Sequence, residues 1–243
     1  HVVVTGGLGG LGRACATRLI AQWDAQVTVI GRRTLADLPS SARDWLAKND
    51  SNLRYVETDI ADEARLSAVL TQPVDLLLHC AGHVENRALA DVTAASVERV
   101  LHPKRAGAQA LSAVLDPRLT VYFSSLSAVT GADKAVDYAA ANAYLDAYAT
   151  AQTNTVRETI SIGWDGWYET GMAADAGLVV SDSVRSRALG TQQAVSALMD
   201  ALTSGGSSHV LISKTNYDGY METVQKAVQR DDQPDAGPQH GRP

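Results

Sequence analysis

The chain has 243 residues, a formal net charge of -6, 45% hydrophobic residues and a single Phe, Phe123. That length suits one large α/β domain or two small ones with a sizeable core, and the acidic balance argues against a nucleic-acid binder. Cys15 and Cys80 make neither a disulfide framework nor a metal site, the six histidines form no ligand cluster, and no apolar run reaches the roughly 18 residues of a membrane span.

The chain opens at His1, directly inside a strand-like run and without Met or a signal peptide, so it reads as a piece of something longer. HVVVTGGLGGLG begins apolar and breaks into glycines, and GRACATRLIAQW then reads as a helix. QVTVIGRR is a strand ending in two arginines. LADLPSSARDWLAKND looks helical, and NLRYVETDIAD is a strand with its exit loop. EARLSAVLTQ is amphipathic, and VDLLLHCAG is a buried strand that stops at glycine. The pattern continues through helix 93–115, strand 119–124, helix 137–152 and strand 158–164. A looser stretch follows over 165–190, then helix 191–203 and strand 208–213. Strands alternate with helices, and the strands are continuous apolar runs, as strands covered on both faces require. This predicts a Rossmann-type α/β fold, a doubly wound parallel sheet with helices on both faces. The domain is expected over residues 1–228. The polar, proline-bearing end is expected to be a disordered linker over 229–243.

TGGLGGLG, Thr5 to Gly12, joins the first strand to the first helix. Glycines there let the backbone approach a pyrophosphate, and a helix N-terminus supplies N–H groups and a positive dipole end. Thr5, Gly6, Gly7, Leu8, Gly10, Leu11 and Gly12 are therefore candidate cofactor residues. The second strand ends in Gly31-Arg32-Arg33, where an NAD site usually places an acid. A guanidinium suits a 2′-phosphate, so the cofactor expected is NADPH. Arg32 is the preferred ligand, and one of Arg32 and Arg33 is expected to be a solvated surface charge. Asp59, followed by Ile60, either accepts from the adenine amino group or caps the next helix. Cys80, Ala81 and Gly82 end the fourth strand and let a nicotinamide ribose lie close to the backbone. His79 reads as a packed histidine.

Reducing a carbonyl needs a proton donor at its oxygen and stabilisation of the growing charge. A tyrosine, with a pKa near 10, serves better beside a lysine. Ser125 ends a strand at its carboxyl end, Tyr138 follows thirteen residues later, and Asn142 lies four further on, on the same helix face. Lys104, on the preceding helix, is the candidate lysine. Singly, each has a plain alternative: a strand-end hydroxyl, a half-buried helix tyrosine, a surface lysine beside Arg105.

TGGLGGLG, HCAG, the Ser–Tyr spacing and YAAANAYLDAYA resemble the short-chain dehydrogenase/reductase superfamily. Within it the chain resembles the ketoreductase domains of modular polyketide synthases and hybrid peptide synthetases. SIGWDGWYETGMA strengthens the likeness, which covers about residues 1–225. The resemblance implies that Lys104 and Asn142 have exchanged the positions usual in the superfamily. It implies that Tyr138 protonates the ketone oxygen and Ser125 donates a second hydrogen bond. Lys104 would lower the tyrosine pKa and hold the nicotinamide ribose beside Tyr138, and Asn142 would orient Lys104 or a relay water. NADPH would supply hydride to a ketoacyl thioester on the phosphopantetheine arm of a carrier protein. A structural subdomain and neighbouring synthase domains are implied as partners, in the cytoplasm, with no metal, nucleic acid or membrane.

Two marks of product configuration differ. Val84-Glu85-Asn86 stands where many such domains carry Leu-Asp-Asp, and Thr130 stands eight residues before the tyrosine, where others carry Trp. The VENRAL segment is compatible with a subgroup that includes α-keto reducers of depsipeptide assembly lines. Residues 171–190 read as a lid, with Met172 and Leu178 as acyl contacts or as parts of a surface helix. Trp164 and Trp167 read as core residues or groove walls. Two other readings stand beside the reductase: a redox-silent structural or epimerising domain, and a free-standing reductase of small ketones.

Overall fold

A computed structural model describes residues 1–152, 158–171, 188–205, 207–216, 218–219 and 221–222. The expected linker over 229–243, and Met172 and Leu178 of the expected lid, lie outside the described residues.

Seven strands form one parallel sheet: β1 (Val2–Thr5), β2 (Val27–Gly31), β3 (Leu53–Glu57), β4 (Leu76–His79), β5 (Leu119–Ser125), β6 (Glu158–Trp164) and β7 (His209–Ile212). Their order is β3-β2-β1-β4-β5-β6-β7. The order reverses between β1 and β4, which opens a crevice at the carboxyl ends of those strands. Helices α1 (Gly10–Trp23), α2 (Ser40–Lys48), α3 (Glu63–Val69), α4 (Ala94–Val114), α5 (Ser127–Thr130), α6 (Val136–Gln152) and α7 (Thr191–Ser204) complete the described elements. The sheet is the doubly wound one expected.

Alternation along β1 shows how the layers form. Val2 and Val4 join one core with Cys15, Ala16 and Leu19 of α1 and with Val195 and Leu198 of α7. Val3 points the other way, to Leu66 of α3 and Leu111 of α4. Farther along, Tyr122 packs with Ala108 of α4 and Leu145 of α6. Both faces are covered, which is why the strands read as unbroken apolar runs. Trp164 and Trp167 are buried and meet edge to face at 5.3 Å, so both belong to the core.

The helix expected from Leu35 is shorter, because Pro39 stands at its N-cap and the regular turns begin at Ser40. Helix α4 starts at a reciprocal cap between Thr93 and Ser96. The one-turn α5 and a 3₁₀ turn at Leu89–Asp91 are too short to leave a periodic signal.

Candidate active site

The glycine-rich loop before α1 is built around two close approaches. Gly6 has φ +63, and a Cβ there would lie 2.9 Å from the backbone N and Cα of Ala81. A Cβ on Gly12 would stand 2.5 Å from Gly7 Cα and 2.7 Å from Gly6 O. Only glycine lets α1 start this close to the loop. The N-cap of α1, Gly9, has no side-chain cap, so the first N–H groups of the helix are left for a ligand. Gly12→Ala is expected to abolish dinucleotide binding, measured by fluorescence titration. It should also cost about 1–3 kcal/mol of stability from overpacking.

Thr5 is fully buried. Its hydroxyl meets His79 Nδ1 at 2.8 Å and accepts from Ala81 N at 3.3 Å, fastening the end of β1 to the end of β4 beneath the loop. His79 is packed, as expected, edge to face with Tyr122. Burial pushes its pKa down to about 3, with the charge of Lys104 adding to the effect. Leu8 is buried and Leu11 half-buried. A Cβ on Gly10 would run into Thr170, so the segment after β6 lies over the first turn of α1.

Arg32 and Arg33 are both exposed at the tip of β2, and the Arg33 carbonyl accepts from Tyr55 Oη at 2.6 Å. Asp59 makes a turn: its Oδ1 accepts from Ala61 N at 2.9 Å. The cap of α3 is instead Asp62, which accepts from Arg65 N. Asp59 also stands 3.8 Å from His102 Nε2. Ile60 is buried, and glycine at 107 makes room for it on α4.

Lys104 is 3% exposed, so the solvated-lysine alternative is overturned. Arg105 is its outward neighbour, paired with Glu98 at 2.9 Å. Lys104 Nζ donates to Phe123 O at 2.7 Å and lies beside Gly82, where a Cβ would be 3.2 Å from Lys104 Cε. Burial lowers its pKa to about 8, against the opposing influence of Cys80 and Asp146. Cys80 is half-buried, and burial drives its thiol well above the ordinary value.

Ser125 is the last residue of β5 and accepts from Ser127 N at 3.2 Å. Tyr138 is half-buried in the first turns of α6. Burial raises its pKa, while hydrogen bonding to Asn142 and Ser125 pulls it down. The structure thus brings Ser125, Tyr138 and Asn142 together. It directs Lys104 to a β5 carbonyl. Asn142 is fully buried. Its amide donates to Tyr138 O at 2.8 Å, and its Oδ1 is left without a partner.

Three features go beyond the sequence reading. Asp137 is buried and accepts from Tyr138 N at 2.8 Å. Asp146 receives Ser161 Oγ at 2.5 Å. Glu85 gathers Arg99 at 2.8 and 3.1 Å, Arg87 at 2.8 Å and His83 at 3.2 Å. Arg99 first, then Arg87, holds its carboxyl down at about 2. Arg87 N also donates to Lys134 O at 2.6 Å, which ties the VENRAL segment to the loop before α6. Only Asp146 left a signal, four residues after Asn142. Among the described residues no group of three or more His, Cys, Asp or Glu could hold a metal, and no helix is long and apolar enough to cross a membrane.

The arrangement offers a phosphate cradle, a buried lysine, and a tyrosine paired with a serine, all at the carboxyl end of the sheet. The chain is 34% identical over 217 residues to erythronolide synthase EryA3 of Saccharopolyspora erythraea, covering 85% of this chain and 7% of that protein. It superimposes on PlmKR1, the ketoreductase from the first module of phoslactomycin biosynthesis in Streptomyces sp. HK803. That match has a TM-score of 0.80 and 28% identity over 92% of this chain and 55% of that one. A structure of A-type ketoreductases from a modular polyketide synthase gives 0.79 and 31%, over 92% of this chain and 49% of the other. The chain therefore spans a small part of the synthase and about half of each solved ketoreductase. The KR domain family model matches residues 1–169, a span that takes in the glycine-rich loop, Lys104, Ser125, Tyr138 and Asn142, and on that match the chain belongs to the KR domain family, the ketoreductase domains of polyketide synthases.

Proposed function

We propose that this chain reduces the keto group of an acyl thioester to the alcohol, with NADPH. The observation that carries the reading is the Tyr138 phenol. It is half-buried at the carboxyl end of the sheet, close to Ser125 and Asn142, and burial makes it hold its proton more tightly than a free tyrosine does. Such a group carries its proton at neutral pH and is placed where the fold puts substrates.

The residues present fit a dinucleotide. Gly6 and Gly12 leave a loop that a Cβ would fill, and the uncapped start of α1 offers its N–H groups. Exposed Arg32 and Arg33 supply charge at the end of β2, which favours NADPH over NADH. Gly7, Gly10, Leu8 and Leu11 would hold the pyrophosphate, Asp59 and Ile60 the adenine, and Cys80, Ala81 and Gly82 the nicotinamide ribose. NADPH, when bound, would supply hydride to the ketone carbon. Tyr138 gives its proton to the ketone oxygen while Ser125 stabilises that oxygen by a hydrogen bond. The buried Lys104 ammonium holds the nicotinamide ribose. The unpartnered Asn142 Oδ1 accepts from a relay water that returns a proton toward Tyr138.

The substrate we infer is a ketoacyl phosphopantetheine thioester on a carrier protein, presented by neighbouring synthase domains and with a structural subdomain alongside, in the cytoplasm. The match of this chain to a small segment of a long synthase supports it. The test pairs NADPH and NADH with surrogate β- and α-ketoacyl thioesters and follows cofactor absorbance. NADPH is expected to be the better cofactor, and Arg32→Ala to raise its KM about tenfold or more while leaving that for NADH nearly unchanged. Equal use of both cofactors by the wild type would overturn the Arg32 assignment.

A further inference from the structure

The segment that leaves β4 is gathered by one carboxylate. Glu85, whose side chain is 14% exposed, accepts twice on each oxygen. Its Oε1 accepts from His83 Nε2 at 3.2 Å and from Arg99 Nε of α4 at 2.8 Å. Its Oε2 accepts from Arg87 Nε at 2.8 Å and from Arg99 Nη2 at 3.1 Å. Four donors use the acceptor sites of the carboxylate. The same segment is tied to the loop before α6, where Arg87 N donates to Lys134 O at 2.6 Å. Lys134 has φ 54, in the left-handed region that a lysine seldom adopts unless its surroundings hold it there.

Such a cluster could serve only to tie the segment to α4. The donors left over point further. Arg87 is engaged through Nε alone, so among the described residues both its Nη groups lack a hydrogen-bond partner, and so does Arg99 Nη1. The two side chains remain 40% and 52% exposed. Two guanidiniums share one anion, and the exposed acids of the joined segments, Asp91 and Asp133, pair with neither arginine among the described residues. A carboxylate that fixes the Nε edge of an arginine leaves its other edge for a forked contact with a phosphate.

The position suits an arm entering the site. Lys134 precedes Tyr138 by four residues, at most about 14 Å of chain, and an extended pantetheine arm is longer than that. Leu89 and Val136, each two residues beyond a partner of the 2.6 Å tie, are exposed apolar side chains. The arm carries a dimethyl carbon one methylene away from its phosphate ester, so an apolar pair beside a cationic pair matches its chemistry.

We propose that Arg87 and Arg99, oriented by Glu85, form the subsite for the phosphate of the phosphopantetheine arm. This subsite rests on the reading of the substrate as a phosphopantetheine thioester. Arg87 offers the open fork, Arg99 a further donor, and Glu85 holds both in place before the arm arrives.

The test places one ketoacyl group on pantetheine and on 4′-phosphopantetheine and compares KM. The wild type is expected to show a KM about tenfold or more lower for the phosphorylated arm. Arg87→Met should erase that preference, bringing the two values within about twofold, and Arg99→Met should weaken it. Equal KM values in the wild type would overturn the proposal, and so would a folded Arg87→Met that keeps the preference. Binding is read separately from turnover, by NMR of the wild type labelled with ¹⁵N at arginine Nε. 4′-Phosphopantetheine should shift the Arg87 signal, and pantetheine should not. An unmoved Arg87 signal would refute the subsite even if Arg87→Met fails to fold. An equal shift from inorganic phosphate at the same concentration would also refute it, since the arm would then add nothing. If neither thioester is reduced, the reduction itself fails, while the Arg87 signal still decides whether the phosphate binds.

Discussion

Tyr138→Phe is expected to lower the rate of ketoacyl reduction by about 10²- to 10⁴-fold, the range a positioned proton donor contributes. The substitution removes one oxygen and leaves the ring, so helix α6 and its packing should survive. Cofactor binding, read by fluorescence titration, should be unchanged, and the thermal midpoint should move little. That combination separates a proton donor from a half-buried helix tyrosine, whose loss would alter stability and spare turnover. Tyr144 and Tyr148 provide the comparison, since they stack on one another at 5.6 Å on the same helix. Tyr144→Phe should leave turnover near that of the wild type. Some reduction should remain in Tyr138→Phe, because Ser125 can still hold the oxygen as its charge grows.

Lys104→Met is expected to separate activity from stability in the opposite sense. It removes the group proposed to hold the nicotinamide ribose, so turnover should fall and the KM for the cofactor should rise. Stability should increase at neutral pH, because a charge is no longer buried. The pH dependence fixes the sign. The folded pKa is about 8 against 10.5 for a free lysine. Below pH 8 both states carry the proton and the whole burial penalty is present. Between 8 and 10.5 the unfolded chain binds more protons than the folded one, so wild-type stability rises with pH. The gap corresponds to about 3 kcal/mol. Denaturant unfolding across pH 7 to 11 should show Lys104→Met ahead of the wild type by its greatest margin at the acid end. The margin should then shrink through that window. A margin independent of pH would mean that Lys104 is not a buried cation.

The strands and the glycine-rich loop were legible because burial on both faces of the sheet leaves unbroken apolar runs, and because glycines cluster where the backbone must pass close. The Ser125, Tyr138 and Asn142 set was legible from spacing, since a strand end and one helix face fix it locally. Lys104 was different. In LHPKRAG nothing local distinguishes it from Arg105, and the packing of α4 on the sheet sends one inward and the other to Glu98. The lysine expected beside Tyr138 donates to Phe123 O, a contact that depends on the same packing. The Glu85 cluster gathers side chains from the VENRAL segment and from α4, and the Asp146–Ser161 bond joins α6 to β6. Contacts of that kind depend on how elements pack, so no short window of sequence contains them.

The most direct test of the central claim is product analysis after incubation with NADPH and a surrogate β-ketoacyl or α-ketoacyl thioester. The account predicts a hydroxyacyl thioester, heavier by two hydrogens, formed in step with NADPH loss by the wild type and at least about a hundredfold more slowly by Tyr138→Phe. A folded, NADPH-binding wild type that leaves both thioesters unchanged would contradict it, and so would equal product from wild type and Tyr138→Phe.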